Sequence, residues 1–165
     1  MILPSLTSVL SDRDIKKTAV LAETIWNEYF TPLIGQAQVD YMLDKFQSET
    51  AIRAQIKQGY LYFALMLEEK QIGYIGLRLD ADCLFLSKLY IQKEYRGNGY
   101  SRMMLAYAEQ IAKQNNKPVI RLTCNRHNAG SLTVYKKAGF QIAREEKTDI
   151  GSGFVMDDYV FEKNV

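Results

Sequence analysis

The hydrophobic period of the chain changes near Tyr60, from helical spacing to strand-like runs. Before it, Ile15, Ala19, Ala22, Ile25, Trp26 and Tyr29 recur at helical spacing behind Ser11, with Asp14 in the place of a capping-box glutamate. This spacing predicts a helix over about Ser11 to Tyr29, ended at Thr31-Pro32. After Gly35, AQVDYMLDKFQSETAIRAQIKQ predicts one or two further helices closing before Gly59. From Tyr60, the runs YLYFALML, QIGYIGLRLD and CLFLSKLYI, joined by short polar connections, predict an antiparallel meander. Gly97 and Gly99 then lead into YSRMMLAYAEQIAKQNN, whose Met104, Ala108, Ile111 and Ala112 form one apolar helix face. Pro118 follows that helix, and VIRLTC is the next strand. In NAGSLTVYKKAG, Asn128 is an N-cap, Lys136 and Lys137 occupy the last turn, and Gly139 takes the C′ position of a short helix. Two closing strands, FQIAREEKT and GFVMDDYVFEK, are separated by Asp149 to Gly153. Neither a repeat nor a linker is visible.

Helices and strands in this order predict one α/β (α+β) domain over residues 1–165: a helical cap at about 11–58, a core at about 60–140 and closing strands at about 140–163. With 47% hydrophobic and 24% charged residues, the composition is ordinary for a globular domain. Twenty-one Lys and Arg against nineteen Asp and Glu give a formal charge of +2, too near neutral to point to nucleic acid or an anionic membrane as the main partner. No stretch approaches the ~18 apolar residues of a membrane helix, and the start lacks the pattern of a secretion signal, so a cytoplasmic location is expected. Cys83 and Cys124 are not in a C-x-x-C pair, so neither a disulfide framework nor a zinc site is expected, and no metal is assigned. His127 is the sole histidine, and no G-x-S-x-G elbow accompanies it, which argues against serine-nucleophile chemistry.

The informative stretch is LYIQKEYRGNGYSRMML, where a strand runs out into a Gly-rich turn that opens a helix. Gly lets the backbone curl so that successive N–H groups and the helix's positive end face one point, which suits a pyrophosphate. Arg96 and Arg102 add charge at its rim, although Arg102 also fits the solvated side of the helix. Alone, RGNG is equally compatible with plain turn chemistry. It is neither a P-loop, which needs G-x-x-x-x-G-K-[ST], nor a dinucleotide fingerprint, which belongs near the first strand of a parallel sheet. Downstream, Tyr135 lies seven residues after Asn128, about two helical turns, so both can share a helix face. Core packing for Tyr135 and capping alone for Asn128 are the plainer readings.

These parts, in this order, resemble the GNAT superfamily of N-acetyltransferases, strongly from about Tyr60 to Phe140. Arg96, Gly99 and Ser101 match the loop pattern Arg or Gln, two residues, Gly, one residue, Gly or Ala, with Ser101 departing at the last place. The resemblance implies a mixed central sheet of six to seven strands, largely antiparallel, flanked by about four to five helices. It also implies acetyl-CoA as co-substrate and an amine as acceptor. Leu89, Tyr90 and Ile91 then correspond to the splayed strand whose backbone binds the pantetheine arm and acetyl carbonyl. Arg96, Gly97, Asn98, Gly99, Tyr100, Ser101 and Arg102 form the pyrophosphate turn, Asn128 lies on the cofactor arm, and Tyr135 is the general acid. The segments TIWNEYFTPLIGQAQVDYML and DIGSGFVMDDYVFEK are similar to a bacterial branch, some of whose members acetylate polyamines, and a homodimer is common in such families.

Acyl transfer from a thioester needs donors at the carbonyl oxygen, a proton for the departing sulfur and a base for the amine. Many relatives carry a glutamate on the strand entering the LYI segment; Ser87 stands where it would fall. A water chain reaching bulk, or a carboxylate such as Glu28, Asp40 or Asp158, is the alternative proton acceptor, although each of these carboxylates is more often a solvated surface charge. Tyr29, Phe30 and Tyr41 can wall an acceptor pocket or pack the core. A catalytically silent acyl-CoA sensor or partner-binding module is the competing reading at this level.

Overall fold

The computed structural model describes residues 2–165. A short strand, β1 (Ser5–Ser8), precedes α1 (Asp12–Tyr29). Ser11 caps α1 as its pattern predicts, its hydroxyl accepting the Asp14 N–H at 3.1 Å, while Asp12 and Asp14 meet the positive end of the helix. The buried stripe is Ile15, Thr18, Ala22, Ile25 and Trp26. Pro32 sits in the first turn of a second short helix, α2 (Thr31–Ile34), and Gly35, at φ 87°, turns the chain into α3 (Gln36–Met42). A π-helical turn, Leu43–Gln47, and α4 (Glu49–Lys57), capped by Ser48, complete the helical part.

Three strands follow: β2 (Leu61–Leu67), β3 (Lys70–Leu79) and β4 (Leu84–Ile91). A 3₁₀ turn, Lys93–Tyr95, leads to α5 (Tyr100–Gln114), then β5 (Val119–Asn125), α6 (Ala129–Lys137), β6 (Gln141–Gly151) and β7 (Phe154–Asn164). The strands hydrogen-bond in the order β1-β2-β3-β4-β5-β7-β6, with β4 and β5 parallel and the other described pairings antiparallel. This is the mixed, largely antiparallel sheet of seven strands, with helices, that the resemblance implies.

Packing divides the chain into two compact units, one running up to Arg78 and including Lys88–Met104, the other formed by Leu79–Ser87 and Leu105–Val165. The first has Val9, Ile52, Leu65, Ile72, Tyr74 and Leu77 in its core; the second has Leu84, Ala108, Ile120, Leu122, Val160 and Phe161. Cys83 and Cys124 are both buried in the second unit, and burial pushes the Cys124 thiol up to about 12 and raises Cys83. No helix among the described residues is long and apolar enough to cross a membrane.

Three local features differ from the sequence expectation. Strand β1 carries no alternating pattern and exists through its pairing with β2, Leu6 opposite Leu65. Helix α3 widens into a π turn that brings Gln47 into the core, where its Oε1 accepts the Tyr74 hydroxyl at 2.8 Å. The closing hairpin turns on Ser152-Gly153 alone, both at positive φ (53° and 80°), so its strands run further than the five-residue separation suggests.

The seat of β4 on β3 is unusually close at Gly73. A Cβ there would lie 2.5 Å from the Tyr90 carbonyl oxygen and 3.3 Å from the Ile91 Cα. Both atoms are backbone and cannot rotate aside, so a side chain would push the strands apart. Gly73→Ala is expected to lower stability by about 1–3 kcal/mol, as overpacking does, and the melting temperature by roughly 2–10 °C. Scanning calorimetry measures it, and an unchanged melting temperature would contradict the close seat.

Candidate functional site

In the first unit, β4 ends in Leu89, Tyr90 and Ile91, the segment singled out from the sequence. The Tyr90 ring packs among Trp26 at 5.6 Å, Phe30 at 6.0 Å and Tyr74 at 5.4 Å between centroids, which fixes this end of the strand against α1. The Gln92 N–H donates to the Ile72 carbonyl at 2.8 Å, extending the register just past the strand.

The turn comes next. Arg96 Nε donates to the Ile91 carbonyl at 2.9 Å, its two terminal nitrogens reach Glu28 at 2.7 and 3.3 Å, and its guanidinium lies 5.0 Å from the centre of the Tyr29 ring. The guanidinium is therefore engaged in pinning the turn to the end of α1. Gly97 and Gly99 adopt φ of 82° and 79°, and a Cβ on either would meet nothing within 4 Å. Left-handed backbone, not crowding, requires glycine at both. The Asn98 side chain donates to the Tyr95 carbonyl at 3.0 Å, and α5 begins at Tyr100, with Met103 N–H bonding the Gly99 carbonyl at 3.2 Å. The earlier amides of that first turn have no intrahelical acceptor, as at any helix start. Arg102 is exposed and Ser101 half-buried.

In the second unit, the ladder between β4 and β5 consists of Leu84 opposite Ile120 and Phe85 opposite Arg121, although β5 continues to Asn125. Asn128 is buried and caps α6, its Oδ1 accepting the Ser131 N–H at 3.2 Å. Tyr135, half-buried on α6, packs against Phe140 at 5.9 Å and Phe161 at 6.1 Å between centroids. His127 is exposed in the turn before the helix.

The three carboxylates read as proton acceptors separate sharply. Glu28 is paired with Arg96, and Asp40 is exposed and accepts the Gln36 amide at 2.8 Å. Asp158 is 5% exposed, and burial, with Asp157 and Glu146 adding repulsion, pushes its carboxyl up to about 6. Phe30 packs on Trp26 at 4.3 Å, and Tyr41 receives the Lys45 ammonium at its hydroxyl and over its ring.

One buried group escaped the sequence reading. Lys88, 4% exposed, donates from Nζ to the Phe46 carbonyl and Gln55 Oε1, both at 2.6 Å, and to the Tyr62 hydroxyl. Its burial pushes the ammonium down to about 7 and raises the Tyr62 phenol. The signal was its phase: along β4, Leu84, Leu86, Lys88 and Tyr90 fall on one face.

The sequence profile of the acetyltransferase (GNAT) family matches residues 21–140, and the chain belongs to that family. It is an acetyltransferase of the GNAT type. Spermidine N(1)-acetyltransferase of Thermoplasma acidophilum is 26% identical over 153 residues, covering 90% of this chain and 92% of that protein. Among solved structures, PaiA N-acetyltransferase from Thermoplasma acidophilum in complex with coenzyme A superposes with a TM-score of 0.82 at 22% identity, covering 99% of this chain and 100% of that one. The ribosomal-protein-S18-alanine N-acetyltransferase from Escherichia coli gives 0.73 at 15% identity, covering 99% and 94%. At these identities the structural likenesses establish the fold.

Lys88 makes a stability prediction with a definite sign. Unfolded, it titrates near 10.5; folded, near 7, so between these values the unfolded chain holds the extra proton and stability rises with pH. The wild type is expected to gain stability over Lys88→Met between pH 7.5 and 9.5, by at most about 1.4 kcal/mol per pH unit. Urea unfolding at the two pH values measures the difference, and parallel pH dependences would refute it.

Proposed function

We propose that this protein transfers an acetyl group from acetyl-CoA directly to a primary amine of a small molecule or a peptide, and that a polyamine is the first acceptor class to test. The observation that carries the reading is the turn from Arg96 to Arg102. Two left-handed glycines with open space above them precede a fifteen-residue helix whose first amides are unused within it. Such a turn fits a pyrophosphate, which needs converging N–H donors and no side chain in the way. In this reading Arg96 keeps the turn in shape through Ile91 and Glu28, while the Gly97–Ser101 backbone and Arg102 meet the phosphates.

The cofactor supplies an acetyl group already activated as a thioester. Backbone groups of Leu89, Tyr90 and Ile91 would hold the pantetheine arm and polarise the acetyl carbonyl, a role supported by the family resemblance. The β4–β5 ladder, which pairs Leu84 and Phe85 of β4, does not use these groups. Asn128 would meet the cofactor arm, and the Tyr135 hydroxyl would give a proton to the departing sulfur. Positioning alone can contribute ~7 kcal/mol or more, so no covalent enzyme intermediate is needed. The polyamine reading is supported by the relative named for spermidine. The reading places the enzyme in the cytoplasm, and pairing of β6, the sheet's edge strand, is its route to a homodimer.

Saturating acetyl-CoA is expected to raise the melting temperature, with about 2.7 kcal/mol of stabilisation at a hundredfold excess over Kd; ATP and NAD are not. Absence of a shift with acetyl-CoA would overturn the reading. Tyr135→Phe is expected to lower kcat about 100-fold while leaving acetyl-CoA affinity within a factor of about two. Mass spectrometry of the acetylated amine gives the rate and identifies the acceptor from a panel of spermidine, n-butylamine, an aminoglycoside and an Ala-initiated peptide.

A further inference from the structure

The first unit holds a cavity of about 410 Å³, with α1 as one wall and α3, the π turn and the cap of α4 as the other. That volume is within the range of small-molecule sites. Glu23 lies on the cavity wall of α1, and Glu28, the partner of Arg96, follows five residues on, about 140° further round the helix. The cavity and the anchor of the glycine turn therefore occupy different sides of α1.

Four carboxylates, Glu23, Asp40, Asp44 and Glu49, line the cavity against one ammonium, Lys16. Two of them are engaged: Asp40 accepts the Gln36 amide at 2.8 Å, and Glu49 pairs with Arg53 at 2.9 Å. The carboxylates of Glu23 and Asp44 are exposed and have neither a hydrogen bond nor an ion pair among the described residues. Beside them the lining is apolar: Val20, 58% exposed, lies one turn from Glu23, and Leu43 precedes Asp44.

Carboxylates alone would be a solvated surface, but Gln47 adds a donor among them. It is 3% exposed, drawn inward by the π turn, and its Oε1 accepts the Tyr74 hydroxyl at 2.8 Å. With the oxygen committed, its Nε2 makes no hydrogen bond among the described residues, where a nitrogen in so buried a side chain ordinarily donates. Nor is that nitrogen sealed, because the one sealed side-chain polar atom without a partner is Trp26 Nε1. The Gln47 amide thus presents a free N–H to the cavity it lines.

A ligand that satisfies this lining carries a cation for Glu23 and Asp44, methylenes for Val20 and Leu43, and an acceptor for Gln47. A protonated polyamine has the first two and no acceptor. A free carboxylate has the acceptor but meets four negative charges. A neutral carbonyl on an alkylammonium meets every condition. We propose that this cavity binds an aliphatic ammonium bearing an amide carbonyl, the chemistry of an N-acetylated di- or polyamine. The carbonyl accepts from Gln47 Nε2, the methylenes lie along Val20 and Leu43, and the ammonium lies between Glu23 and Asp44. That such a compound is also the product of this enzyme rests on the polyamine reading above; the cavity is then a product site apart from the turn that holds the phosphates.

Calorimetric titration of the full chain, saturated with coenzyme A, tests the site with N-acetylputrescine, putrescine and N-butylacetamide. N-acetylputrescine is expected to bind most tightly. Putrescine, without the carbonyl, is expected to bind about fivefold more weakly, and N-butylacetamide, without the cation, at least about tenfold more weakly. The double variant Glu23→Gln, Asp44→Asn is expected to bind N-acetylputrescine at least about tenfold more weakly than wild type. Its melting temperature is expected not to fall, since neither carboxylate has a partner to lose, and its initial rate of acetylation is expected to match wild type. Equal affinity of wild type and the double variant for N-acetylputrescine, equal affinity of wild type for putrescine and N-acetylputrescine, or no binding of N-acetylputrescine overturns the site. If N-acetylputrescine binds wild type and the double variant loses it while no amine is acetylated, the site stands and the acetyltransferase reading falls.

Discussion

The approach of β3 to β4 at Gly73 governs the first unit. With no side chain at that position, the Tyr90 carbonyl can sit where a Cβ would otherwise be, and the end of β4 takes its place from this contact. The rest follows along the chain. Ile91 presents a carbonyl to Arg96, Arg96 reaches Glu28 and lies over Tyr29, and the glycine turn is thereby referred to the last turn of α1. On the same side, Tyr90 packs into the aromatic group formed by Trp26, Phe30 and Tyr74. The Gly97–Gly99 turn thus takes its position from the end of β4.

The buried polar groups fall into two kinds. Lys88 is surrounded by oxygens from the π turn, α4 and β2, so its desolvation is offset by hydrogen bonds that tie those elements to β4. Asp158 has no such compensation. Interior polar groups that bridge elements serve cohesion, whereas one held without a cation against like charge reduces stability.

The sequence showed much of this through periodicity and caps. Ser11 and Asn128 cap the helices their spacing assigned to them, Gly139 ends α6 in the left-handed region at φ 95°, and the glycine turn opens α5. These are local rules, carried by a few neighbouring residues. What was illegible depends on distant partners: β1 is a strand because β2 lies beside it, and Gln47 enters the core because Tyr74 offers it a hydroxyl. For the site, the donor-side residues were assigned by the resemblance and not by periodicity. The difference between Glu28, Asp40 and Asp158 could not be read from the chain, because a carboxylate looks the same in sequence whether Arg96 neutralises it, water surrounds it or a sheet encloses it.

The two cysteines carry a practical corollary. Cys83 is fully enclosed and Cys124 nearly so, and both thiols are held in the unreactive protonated form. Folded enzyme should therefore contribute little to a colour reaction that counts free sulfhydryls, leaving the coenzyme set free in each turnover as the source of signal. The same enclosure makes those sulfurs natural reporters of unfolding, since a disulfide reagent would label them once the second unit opens.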